Sequence, residues 1–212
     1  MSQAFKDNKF TVVRFDTING VGESEGKMDD ATATNHCQNL EDVIKWSEKQ
    51  EWYHEPFWLA GHSLGSFSLM MFTLNHPEKV KAIAPISTVV SGGLFIRTEE
   101  IQLILEDWKN TGLREWESSS RPGLIKRLKY GFIEDLLKYN LLNDADKINC
   151  PVLMIIGDND PTVLPEHQVK LFDLLKAEKE FHIIKGAKHT FREENHLKEL
   201  KAIIDNWIKE VE

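Results

Sequence analysis

Phe57-Trp58-Leu59-Ala60-Gly61-His62-Ser63-Leu64-Gly65 is the stretch on which the fold of this chain turns. Four apolar or aromatic residues run without a break into a G-x-S-x-G pattern, and an amphipathic stretch follows at once, as far as Asn75. A short apolar run of this kind reads as a buried strand, and the helical spacing after it reads as a helix that stops before Pro77, which cannot continue it. The glycines fit a strand-to-helix turn so sharp that side chains larger than hydrogen would be crowded at both positions flanking Ser63. Such a turn puts Ser63 at a helix N-terminus, where free N–H groups favour negative charge.

The same alternation extends outward in both directions. Upstream, Phe10-Thr11-Val12-Val13-Arg14-Phe15 predicts a first strand. A loop with Gly20, Gly22 and Gly26 follows it, then a helix over about Asn39–Lys49 with Leu40, Val43 and Ile44 inward. Downstream, strands are predicted over Val80–Ser87, Pro151–Gly157 and Phe181–Lys185, with a helix from Pro165 and a closing helix bearing Leu197, Leu200, Ile203, Ile204 and Trp207. Residues 90–148 carry no strand signal: Ile101, Ile104, Leu105 and Trp108 repeat at helical spacing, and Arg121-Pro122-Gly123 interrupts before a second piece with Phe132, Leu136 and Leu137. The class is therefore α/β, a mostly parallel sheet flanked by helices. The expected organisation is a single domain over 1–212 with 90–148 as a helical insertion.

Composition narrows the partners. The 212 residues hold 26 lysines and arginines against 34 carboxylates, a net charge of −8 that repels phosphate backbones and anionic lipid. Neither nucleic acid nor a membrane is expected as a partner, and no apolar run approaches the roughly 20 residues that cross a bilayer. The N-terminus has no apolar core of the secretory kind. Cys37 and Cys150 sit in no ligand pattern, and free thiols in a reducing, cytoplasmic compartment are expected. Histidines and carboxylates at metal-ligand spacing are absent, so neither a metal nor another cofactor is expected.

A serine hydroxyl needs a base to take its proton, and the base needs an orienting acid. Two downstream loops supply candidates in the order serine, acid, histidine. Gly157-Asp158-Asn159-Asp160-Pro161 follows one predicted strand, and Gly186-Ala187-Lys188-His189 follows the next. Sites on parallel sheets lie at this C-terminal edge. The residues alone leave Asp158 and Asp160 open as the acid, and give His189 as the base. The N–H of Leu64 would be one donor to an oxyanion. His62 occupies a variable position of the turn and is expected to pack beside the nucleophile.

GHSLG around Ser63, IIGDNDPTVLPEH and IIKGAKHTF together resemble the α/β-hydrolase superfamily, in particular its serine esterase, acylglycerol-lipase and aminopeptidase-like branches. The resemblance implies Asp160 as the acid, with Asp158 capping or bracing its turn. It implies hydrolysis of a small apolar carboxylic ester under a lid formed by 90–148. Phe10–Phe15 and the glycine loop resemble the family's fourth strand and its loop, yet only nine residues precede Phe10, where relatives place three strands and a second oxyanion donor. Three arrangements are open: Phe10–Phe15 pairs directly with Phe57–Ala60, with the Asp16–Gly22 loop supplying the donor; a second chain completes the sheet, as in a homo-oligomer; or the chain is a weakly active or inactive binding module. The same scaffold also carries peptidases and thioesterases.

Overall fold

The computed structural model describes residues 1–20, 22–118 and 122–211. Its strands are β1 (Phe57–His62), β2 (Val80–Ile86), β3 (Leu113–Glu117), β4 (Ile125–Lys129), β5 (Val152–Gly157) and β6 (Lys179–Ile184). Its helices are α1 (Ser2–Asp7), α2 (Ala33–Ser47), α3 (Leu64–Asn75), α4 (Gly92–Phe95), α5 (Glu99–Thr111), α6 (Gly131–Leu136), α7 (Pro165–Leu174) and α8 (Glu194–Val211). The central sheet has the order β1-β2-β5-β6 and every pairing in it is parallel.

Side-chain alternation explains the unbroken apolar strands. Along β5, Val152, Met154 and Ile156 enter one core with Phe67, Met70 and Leu171 of α3 and α7. Leu153 and Ile155 enter a second core with Leu200, Ile204, Trp207 and Ile208 of α8 and Phe5 of α1. Both faces of the sheet are covered, so neither parity can be polar. The apolar stripe of α8 enters this second core, while its Lys201 and Asp205 hold Asp7 and Asn8 beside α1. Among the described residues no helix is long and apolar enough to cross a membrane.

Two expectations are corrected. Phe10–Phe15 forms no strand and does not pair with β1. Lys9 turns the chain with a φ of 67°, and the Phe10 N–H donates to the Phe5 carbonyl at 3.0 Å. The Phe10 ring then meets the rings of Phe5 and Trp58 edge-on, each at 5.4 Å, and Trp58 meets Trp207 at 5.1 Å. The aromatic content that suggested a strand is spent on this ring cluster, while Val13 and Phe15 stay exposed. Among the described residues β1 therefore has a strand neighbour only on the β2 side, and all six of its residues are half-buried.

The second correction lies in 90–148. The segment does contain helices α4, α5 and α6, but β3 and β4 form an antiparallel hairpin within it, from Leu113↔Lys129 to Glu117↔Ile125. The left-handed Gly112, φ 75°, ends α5 and turns the chain into β3. Arg114 lies over the rings of Trp108 and Trp116, at 5.7 and 4.8 Å, which couples the hairpin to α5. Trp108, Leu128, Phe132, Ile133 and Leu136 join the same core as α3 and β5.

Candidate active site

The turn after β1 is built by crowding on one side only. A Cβ on Gly61 would lie 2.6 Å from the Gly65 carbonyl carbon and oxygen, whereas a Cβ on Gly65 would meet nothing within 4 Å. The sequence pattern suggested that both glycines are sterically forced; the close approach requires only Gly61. The fully buried Ser66 pins the turn: its Oγ lies 2.6 Å from the Gly61 carbonyl and 2.8 Å from the Ile86 carbonyl, and it accepts from the Ile86 N–H.

Ser63 occupies the N-cap of α3 at φ 56° and ψ −120°, and its side chain makes no capping bond. An N-cap serine ordinarily spends its oxygen on the helix's own N–H groups. Here the strained backbone turns the Oγ away from that use, and it lies 3.0 Å from His189 Nε2. The first N–H groups of α3, Leu64 among them, have no carbonyl to pair with inside the helix.

His189 Nδ1 lies 2.8 Å from Asp160 Oδ2. The Asp160 side chain is completely buried, and its Oδ1 accepts from the N–H groups of Thr162 and Val163 at 3.0 and 2.9 Å. Both oxygens of this carboxylate are thus used, one to hold its own loop and one to hold the imidazole. Asp158 points elsewhere: its Oδ1 accepts from the Gly186 N–H at 2.6 Å. The two loops are further joined by the Asn159 N–H donating to the Ala187 carbonyl at 3.1 Å. Ser63, His189 and Asp160, remote in sequence, converge at one edge of the sheet, and Asp158 braces the histidine loop.

The described residues of the Asp16–Gly22 loop bond within the loop region and to α2. Asp16 Oδ2 accepts from the Glu23 N–H, Ser24 Oγ donates to the Asp16 carbonyl, and the Ile18 N–H donates to Asn39 of α2. Gly20 and Gly22 line a shallow cavity with Lys126 and Arg127 of β4.

His62 contributes a contact that the turn pattern does not encode. Its Nε2 lies 2.6 Å from the His189 carbonyl, and the two imidazole rings are 4.7 Å apart. Burial first, and the neighbouring His189 second, push its pKa down to about 4. Of the other histidines, His182 pairs with Glu180 at 2.8 Å and His196 is buried near Gly186. Among the described residues no three His, Cys, Asp or Glu side chains are grouped to hold a metal. Cys37 and Cys150 are free thiols, both pushed up to about 11 by burial.

Comparison with known proteins agrees with this fold. The chain is 25% identical over 200 residues to the palmitoyl-protein thioesterase ABHD10, mitochondrial, of Bos taurus, covering 92% of this chain and 62% of that protein. It spans 62–64% of the length of the bovine, mouse and human forms of that thioesterase. The structure of mouse alpha/beta hydrolase domain-containing protein 10 superposes with a TM-score of 0.75 at 24% identity, covering 100% of this chain and 82% of that one. The ferulic-acid-bound Est1E of Butyrivibrio proteoclasticus superposes with a TM-score of 0.69 at 21% identity, covering 92% and 74%. The profile of the prolyl oligopeptidase family matches residues 23–211. With its parallel sheet, its strand–turn–helix around Ser63 and this match, the chain belongs to the prolyl oligopeptidase family of the α/β-hydrolase superfamily.

Proposed function

We propose that this chain is a serine hydrolase that cleaves a small apolar carboxylic ester through an acyl-enzyme on Ser63. The observation that carries the reading is the relay from Ser63 Oγ to His189 Nε2, 3.0 Å, and from His189 Nδ1 to Asp160 Oδ2, 2.8 Å. Asp160 accepts the Nδ1–H, which leaves the Nε2 lone pair facing the hydroxyl. His189 takes the Ser63 proton as Oγ attacks the ester carbonyl, then gives it to the departing alcohol. A water then attacks the acyl carbon as it loses a proton to the same nitrogen, and that proton passes to Ser63 Oγ as the acyl–Oγ bond breaks and the acid leaves. The Leu64 N–H and its neighbours at the start of α3 stabilise the oxyanion.

Residues 90–148 act as the lid over this centre. Thr162, two residues beyond Asp160, donates to Glu100 of α5 at 2.9 Å, which supports the placement of that segment beside the acid loop. Similarity to palmitoyl-protein thioesterases favours a second substrate class, acyl thioesters, which the same relay would cleave. A panel of aryl esters, acyl thioesters and aminoacyl amides, run on the chain and on Ser63→Ala, tests both. Turnover and fluorophosphonate labelling that vanish in Ser63→Ala are expected. An unlabelled Ser63 would point instead to a non-catalytic binding module and overturn the reading.

A further inference from the structure

The three loops of the site are not joined equally. The acid and histidine loops are stitched by three bonds: Asp158 to the Gly186 N–H, the Asn159 N–H to the Ala187 carbonyl, and Asp160 to His189. Between the histidine loop and the Ser63 turn, the described bonds are two: the Ser63–His189 contact on which the chemistry depends, and the bond between His62 Nε2 and the His189 carbonyl.

We propose that His62 is a positioning residue whose Nε2–H, donated to the His189 carbonyl, fixes the height of the histidine loop over the Ser63 turn. The inference rests on the reading of His189 as the base. On the His62 side the attachment point is held by the β1–β2 ladder, where His62 ends β1 and is paired with Ile86 of β2. It is strained on the other side, where Phe191 holds a φ of 47° and packs edge-on against the His62 ring at 6.2 Å. A carbonyl accepts only from a protonated nitrogen, so the bond selects the tautomer with hydrogen on Nε2. A neutral ring suits the place. His189 carries positive charge midway through acyl transfer, and a second charge on a ring 4.7 Å away would oppose it. The charged and titratable groups facing His62 are His189 and Asp160, and its burial keeps it neutral across the physiological range.

The test compares His62→Phe, which keeps a packed ring but has no donor, with His62→Gln, whose Nε2 sits at the same reach. Steady-state turnover of an aryl ester, fluorophosphonate labelling, and amide hydrogen exchange at residues 187–190 are measured for both and for the wild type. In His62→Phe, kcat is expected to fall about 10- to 100-fold with KM within about twofold, because a misplacement of about an ångström is felt in the chemical step. Exchange at 187–190 rises in parallel. His62→Gln restores kcat to within a few-fold and restores protection. Wild-type kcat and exchange in His62→Phe, or a glutamine no better than phenylalanine, overturns the proposal. A wild-type chain whose Ser63 is not labelled overturns the hydrolase reading itself, and the exchange data then still decide whether the bond holds the loop.

Discussion

Gly157 and Ala187 touch backbone to backbone: a Cβ at position 157 would lie 2.1 Å from the Ala187 carbonyl oxygen. The acid loop and the histidine loop can be neighbours only because one of them begins with hydrogen in place of a side chain. Gly157→Ala is therefore expected to force the loops apart, costing about 1–3 kcal/mol of stability as overpacking does. Denaturant midpoints read the loss, and Ser63 labelling should drop further than stability alone accounts for.

The two aspartates should separate sharply. Asp160→Asn removes the acceptor that fixes the His189 tautomer, and turnover is expected to fall by about 10⁴-fold. Asp158→Asn keeps an oxygen able to accept from the Gly186 N–H, and should cost about tenfold or less, of the order of one weakened hydrogen bond. Purified variants assayed on the same ester check the ranking; equal losses or the opposite ranking would overturn the assignment.

The glycines around Ser63 should not behave alike. Gly61→Ala meets the backbone of Gly65 and Ser66, so loss of folded protein or of all labelling is expected. Gly65→Ala enters open space inside α3 and should be neutral or stabilising by up to about 1 kcal/mol, since alanine is the better helix former. Melting temperatures of the two variants decide it.

Protonation of His62 should leave a trace in stability. Its pKa is held at about 4 in the folded chain against an ordinary 6.5. Between those values the unfolded chain takes a proton that the folded one refuses, so this contribution is complete above about pH 6.5 and is lost as pH falls toward about 4. The loss is about 3 kcal/mol. Urea unfolding of the wild type and of His62→Gln across that window should show the difference in their stabilities shifting against the wild type by about that amount. A pH-independent difference contradicts a buried neutral ring.

Much of this architecture is written in local patterns, and the exceptions share a cause. The strands at 57–62, 80–86 and 152–157 are readable because both faces of the sheet are covered, which leaves mostly apolar runs. The order of Ser63, Asp160 and His189 is readable because each lies in the loop or turn that follows a strand. The β3–β4 hairpin is not: Leu113-Arg114-Glu115-Trp116-Glu117 and Ile125-Lys126-Arg127-Leu128-Lys129 are mostly charged, and only Leu128 among them is buried. Phe10–Phe15 misleads in the opposite sense: Phe10 answers to Phe5 and to the distant Trp58, whose ring meets Trp207, while Val13 and Phe15 stay exposed. The His62–His189 bond joins positions 127 apart and has no local signature at all.

The position of β1 has a consequence for how the molecule fails. Among the described residues Ser63 and His189 follow the two outer strands of the sheet, β1 and β6, each with a ladder on one side only, while Asp160 follows the inner β5. Outer strands are the parts of a sheet most prone to local opening below the global transition. Warming should thus fray the supports of the nucleophile and of its base before the inner strands, so that reactivity toward a serine probe fades while the circular dichroism of the remainder still looks native.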